Sequence, residues 1–159
     1  MNLTDTDTRF LREAIRLASE SVAEGGGPFG AVIVLGGEVL ARAANRVTPD
    51  HDPTAHAEVR AIRLACDRLA SHDLTGATLY ASCEPCPMCL GAIYWARISR
   101  LVYAASKDDA ARAGFDDAFI YRELALDPAG RSLPSARLLA DEGHEPFERW
   151  MEKTDRCEY

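Results

Sequence analysis

An α/β layer sandwich around a mixed sheet is the fold this sequence predicts, on three observations. Apolar periodicity switches between a helical and a strand repeat, the segments follow in the order αββαβαβ, and Gly36-Gly37 marks a two-residue hairpin between the first two strands. The 159 residues fit one domain. One domain over 1–159 is expected, with 145–159 as a C-terminal helix and tail.

Phe10, Leu11, Ala14, Leu17, Ala18, Ser21 and Val22 recur at helical spacing, predicting an amphipathic helix over 8–23 that Thr6 or Thr8 can cap. Gly25-Gly26-Gly27-Pro28 breaks it. Ala31–Leu35 reads as a buried strand, Val39–Asn45 as its hairpin partner, and 46–54, with Pro49 and Pro53, as a loop. The next helix begins near Ala55 or His56 and carries Val59, Ile62, Cys66 and Leu69 on one face, with Cys66 expected as a small buried hydrophobe. Thr78–Ser82 is a strand running into a cysteine-rich segment. Pro87 suits a first helical turn, and Leu90, Ile93 and Tyr94 carry that helix to about Arg97, with Trp95 expected to pack. Leu101–Ala104 is a further strand, and 146–152 reads as helical.

Composition narrows the partners. No apolar run approaches the ~20 residues of a membrane span, and the N-terminal segment lacks the basic and apolar regions of a secretory signal. A cytoplasmic protein is expected. The net charge of −7 and the scarcity of lysine, at Lys107 and Lys153 only, argue against a nucleic-acid backbone as partner and for a small neutral molecule. Three of the five cysteines fall within 83–89, which favours metal over disulfides.

The chemistry-bearing residues form two segments, Pro53-Thr54-Ala55-His56-Ala57-Glu58 and Cys83-Glu84-Pro85-Cys86-Pro87-Met88-Cys89. His56, Cys86 and Cys89 offer one imidazole and two thiolates, a donor set that suits tetrahedral Zn²⁺ with a place left for water. Glu58 can move that water's protons. Cys83 could instead close the site as a fourth, structural ligand. Its place at the strand end, before Glu84-Pro85, and the presence of Glu58 weigh against that. Glu58 lies two residues past His56, roughly 200° around an ideal helix. The two converge only if the metal sits over the helix tip, so both helices are expected to point their N-termini at it.

Histidine-x-glutamate followed by proline-cysteine-x-x-cysteine resembles the pattern of zinc-dependent nucleobase deaminases. Pro53–Val59 and Ser82–Arg97 look like the matching segments of the cytidine/deoxycytidylate deaminase superfamily. Within it, 26–32 (GGPFGAV) and 113–121 (AGFDDAFIY) resemble the bacterial guanine deaminases. The resemblance runs from about Phe10 to Tyr159. It implies a three-layer αβα sandwich with a central mixed five-stranded sheet, a Zn²⁺ cofactor on His56, Cys86 and Cys89, and Glu58 as catalytic acid/base. It further implies a homodimer and hydrolysis of guanine to xanthine and ammonia.

The same resemblance puts Asn45, Phe29, Ala57, Asp117 and Tyr159 at the substrate. Asn45 can both donate and accept, though it could equally be a plain strand-end residue. Phe29 can stack on a base or belong to the core. The residues do not choose between Asp116 and Asp117; the resemblance selects Asp117. Tyr159 is either a frayed end or part of a lid. Three rivals stand beside guanine deamination: a nucleoside deaminase acting on guanosine, adenosine or cytidine, a tRNA adenosine deaminase, and a non-catalytic zinc-stabilised module.

Overall fold

A capping box starts the first helix in the computed structural model, which describes residues 3–158. The Asp7 N–H donates to Thr4 Oγ1 at 3.2 Å and the Thr4 N–H donates to Asp7 Oδ2 at 2.8 Å. Helix α1 therefore spans Asp5–Ala23, one turn earlier than periodicity predicts, with Thr4 rather than Thr6 or Thr8 as its cap. The apolar repeat starts at Phe10, but the reciprocal hydrogen bonds satisfy the first free N–H groups and extend the helix ahead of it. Then follow β1 (Gly30–Leu35), β2 (Glu38–Ala44), the short α2 (Val47–Asp50), α3 (Ala57–Leu69), β3 (Thr78–Cys83), α4 (Pro87–Trp95), β4 (Arg100–Ala105) and α5 (Lys107–Arg112).

The strands order as β2-β1-β3-β4, with β1 antiparallel to both neighbours and β3 parallel to β4. The sheet is mixed, as expected, but has four strands rather than five. Among the described residues no fifth strand follows β4: Ser106 caps α5 directly after it, with the Asp109 N–H donating to Ser106 Oγ and the Ser106 N–H to Asp109 Oδ2, and the later elements are all helical. That box commits the next residues to helix.

Alternation along the strands builds two cores. Ala31, Ile33, Leu79 and Ala81 pack with Ala57, Ala61, Ile62 and Ala65 of α3 and with Ile93 of α4. Val32, Val34, Tyr80 and Val102 face Phe10 and Ala14 of α1. Helices thus cover both faces. Gly30 lets α1 sit close on the sheet, since a Cβ there would collide with the Ala14 carbonyl oxygen and the Ala18 nitrogen. Cys66 is only half-buried at the edge of the first core, and Trp95, expected to pack, is 66% exposed. On α4, Cys89 and Ile93 take the inward face, which turns Tyr94 and Trp95 outward.

The chain divides into two compact units, one ending at Asp117 and one beginning at Ala118. The second contains α6 (Ala118–Leu124) and α7 (Glu145–Glu152), and none of its described residues is buried. Ser132 donates through both N–H and hydroxyl to Glu123, which ties the segment after α6 back to it. Tyr159 lies outside the described residues.

One buried ion pair joins α1 to the sheet. Asp7 accepts from Tyr80 Oη at 2.7 Å and from both terminal nitrogens of Arg100, at 2.5 and 3.0 Å. Arg100, followed by the Tyr80 hydroxyl, holds the Asp7 carboxyl well below the usual carboxylate range. A carboxyl whose folded pKa lies below its unfolded value stabilises above the unfolded value, and that contribution drains away as the group protonates. Asp7→Asn should therefore be less stable than the wild type at pH 7. The gap should narrow as pH falls below the ordinary value of 3.8. Chemical denaturation followed by circular dichroism across pH 2–7 measures it; a gap independent of pH would contradict this role.

Candidate active site

Two helix N-termini carry the donor set. His56 is the N-cap of α3 (ψ 150°) and Cys86 the N-cap of α4 (ψ 169°), with Pro87 in the first turn of α4. An extended N-cap leaves the helical path and projects its side chain beyond the helix end. The rotation problem between His56 and Glu58 is solved in this way: His56 lies outside the helix while Glu58 sits in its first turn. Neither cap residue spends its side chain on the usual capping hydrogen bond.

The three donor atoms form a tight triangle. Cys86 Sγ lies 3.6 Å from His56 Nδ1 and 3.6 Å from Cys89 Sγ, and Cys89 Sγ lies 3.5 Å from His56 Nδ1. Tetrahedral zinc, with Zn–S about 2.3 Å and Zn–N about 2.0–2.1 Å, requires sulfur–sulfur separations of about 3.8 Å and sulfur–nitrogen separations of about 3.6 Å. The donor set and its spacing therefore fit zinc. Among the described residues, His56, Cys86 and Cys89 make the one group of three or more such side chains placed to hold a metal. Cys83 stands outside it. Its buried Sγ donates to the Ser106 carbonyl at 3.5 Å, and burial, reinforced by the Glu58 charge, pushes its thiol up to about 11.

The electrostatics suit a cation. Cys86 is pulled down to about 4, first by its hydrogen bond with Cys89 and then by His56. Cys89 is pushed up by the same Cys86 bond and by burial. The two thiols thus titrate as a pair, and a metal would bind them as thiolates. Glu58 is 6% exposed, and burial raises its carboxyl above the usual range, aided by the Cys86 charge. A carboxyl raised in this way holds its proton more readily than an exposed one, as a proton carrier must.

The remaining candidates separate on geometry. Asn45 is buried directly after β2, and its Oδ1 accepts from the Gly27 N–H at 3.1 Å and the Val47 N–H at 3.2 Å. Two donors on one oxygen fix the orientation of the amide and use both lone pairs. Asn45 is left as a donor through Nδ2, not as the donor and acceptor its residue type allows. Phe29 is half-buried and meets Phe115 edge-on, with ring centroids 5.0 Å apart at 87°. Asp117 is half-buried, its carboxyl raised by desolvation and then by the Cys86 charge, whereas Asp116 is exposed. Ala57 is fully buried, with its methyl in the core, so any ligand contact falls to its main chain.

Residues 4–105 match the family model of the cytidine and deoxycytidylate deaminase zinc-binding region. The chain belongs to that family. It is 52% identical over 151 residues to the guanine deaminase of Bacillus subtilis, covering 94% of this chain and 97% of the relative. It is 47% identical over 98 residues to a tRNA-specific adenosine deaminase of Agrobacterium fabrum, covering 62% and 64% of the two chains. The X-ray structure of the B. subtilis guanine deaminase superposes with a TM-score of 0.93 at 50% identity, covering 100% of this chain and 99% of that one.

Sequence reasoning missed the residues that hold the candidate pocket rather than line it. Gly27 supplies an N–H to Asn45, and Ser82 Oγ accepts from the Gly30 N–H at 3.0 Å, tying β1 to the strand that leads into the cysteines. Ser21 Oγ donates to the Asn45 carbonyl at 2.9 Å. The glycine run is visible in the sequence as a helix stop and as part of the 26–32 resemblance, but neither reading shows its hydrogen bonds to Asn45 and Ser21. A Cβ on Gly26 would collide with the Asn45 carbonyl oxygen and Ser21 Oγ. Gly26→Ala should therefore cost about 1–3 kcal/mol, the usual range for overpacking. Urea denaturation checks this, and a change below about 0.5 kcal/mol, the size of an ordinary surface substitution, would contradict it.

Proposed function

We propose that this protein hydrolyses guanine to xanthine and ammonia, with zinc held by His56, Cys86 and Cys89 and with Glu58 as the proton carrier. The observation that carries the reading is the three-donor triangle beside a buried carboxyl, in a chain that aligns almost end to end with a guanine deaminase.

Bound there, zinc would supply the Lewis acidity that brings water within reach of deprotonation near pH 7. Glu58 accepts the proton that water gives up as its oxygen attacks C2 of the base, and returns it to a ring nitrogen. It then takes the remaining proton from the hydroxyl now on C2 and delivers it to the departing amine, so that C2–NH₂ and water become C2=O and ammonia. The burial that raises the Glu58 carboxyl suits both duties.

Other side chains hold the base. Asn45 Nδ2 donates to an acceptor on its edge. Asp117 accepts from its ring N–H groups and Phe29 lies against its face. Ala57 serves through its main chain. Tyr159 enters only through the resemblance and lies outside the described residues. A net charge of −7 favours a neutral base over the anionic backbone of tRNA. We place the protein in the cytoplasm, and among the described residues no helix is long and apolar enough to cross a membrane. A homodimer is in keeping with outward apolar side chains such as Tyr94 and Trp95.

Ammonia release by zinc-loaded protein tests the reading against guanine, guanosine, adenosine and cytidine. Guanine should be the substrate, and turnover of guanosine but not guanine would overturn that choice. Glu58→Gln should lower kcat by about 10²–10⁴-fold while keeping zinc. Cys83→Ser should keep both zinc and activity; loss of zinc in that variant would show a closed structural site.

A further inference from the structure

Ser21 is 1% exposed on the last turn of α1, and its hydroxyl does not serve its own helix. A helical serine commonly returns its hydroxyl to the carbonyl four residues back, as Ser19 does to Ile15 at 3.1 Å. Ser21 Oγ instead reaches 24 positions along the chain to the Asn45 carbonyl, at 2.9 Å. The Ser21 carbonyl in turn accepts from the Gly26 N–H at 2.8 Å. Gly26 fits between them only because it lacks a Cβ. The next residue, Gly27, then presents its N–H to Asn45 Oδ1 at 3.1 Å.

Ser21 therefore grips Asn45 from two directions, through the Asn45 main chain and through the glycine segment whose N–H sets the amide. The Val47 N–H completes the frame at 3.2 Å. With Oδ1 doubly engaged, only the Nδ2 hydrogens can face a ligand. We propose that Ser21 is the positioning residue that holds the Asn45 amide as a donor aimed at an acceptor edge of a purine base. This rests on reading Asn45 as a base contact. Ser21 itself touches no substrate; it acts through Asn45.

The test is a double-mutant cycle on the full-length, zinc-loaded protein: wild type, Ser21→Ala, Asn45→Ala and the double variant. The dissociation constant of 8-azaguanine is measured by calorimetry and guanine turnover by ammonia release. Ser21→Ala should weaken 8-azaguanine binding about tenfold, the size of one hydrogen bond well placed in a buried site. It should raise KM in step, with kcat changed less than about threefold. In the Asn45→Ala background the same change should cost nothing further, because the group it positions is gone. Ser21→Cys, which keeps the volume and a weak donor, should fall between wild type and Ser21→Ala; it replaces the alanine variant in the cycle if that variant does not fold.

Losses that add independently of Asn45 would overturn the proposal, as would wild-type affinity in both Ser21 variants. Failure of the wild-type protein to bind 8-azaguanine would instead overturn the reading of the site as a purine pocket, and the role of Ser21 with it.

Discussion

The N-terminal ends of α3 and α4 converge on one point, and the chemistry of the molecule depends on that convergence. An N-cap residue sits in extended backbone, so its side chain projects past the helix rather than around it. With His56 and Cys86 both at N-caps, and Cys89 one turn further into α4, three soft donors meet within 3.6 Å of each other. The helix ends also present partial positive charge, which favours thiolate over thiol. The alternating sheet beneath makes this possible: the buried alanines of α3 let it lie close on β1 and β2, and the parallel β3–α4–β4 crossover returns α4 to the same face.

A second frame, built from α1 and the glycine loop, surrounds Asn45. The candidate metal donors and the proposed base contact are thus held by different layers. The catalytic cation would be fixed from the α3/α4 side and Asn45 from the α1 side, with β1 between them. Gly30 serves both: its missing Cβ admits α1, and its N–H donates to Ser82 at the end of β3.

Much of this is legible in the sequence because short-range chemistry dictates it. The cysteine spacing, the histidine–glutamate pair and the strand periodicity all act within a few residues of one another. The rotation between His56 and Glu58 even required a ligand site over a helix tip. What escaped reading was decided at long range or by competing local bonds. Thr4 and Asp7 moved the start of α1, and Ser106 and Asp109 took the residues after β4 into a helix. Asn45 lost its acceptor capacity to two backbone N–H groups, one of them 18 positions away. Trp95 turned outward because Cys89 and Ile93 had already claimed the inner face of a short helix.

A three-residue metal centre with an open fourth position leaves a distinct signature in X-ray absorption at the zinc edge of the purified, zinc-loaded protein. Such a centre gives two sulfur scatterers at about 2.3 Å and two nitrogen or oxygen scatterers at about 2.0–2.1 Å, the second light atom being solvent. Three sulfurs in the first shell, with Cys83 drawn into the site, would contradict it, as would a protein that takes up no zinc.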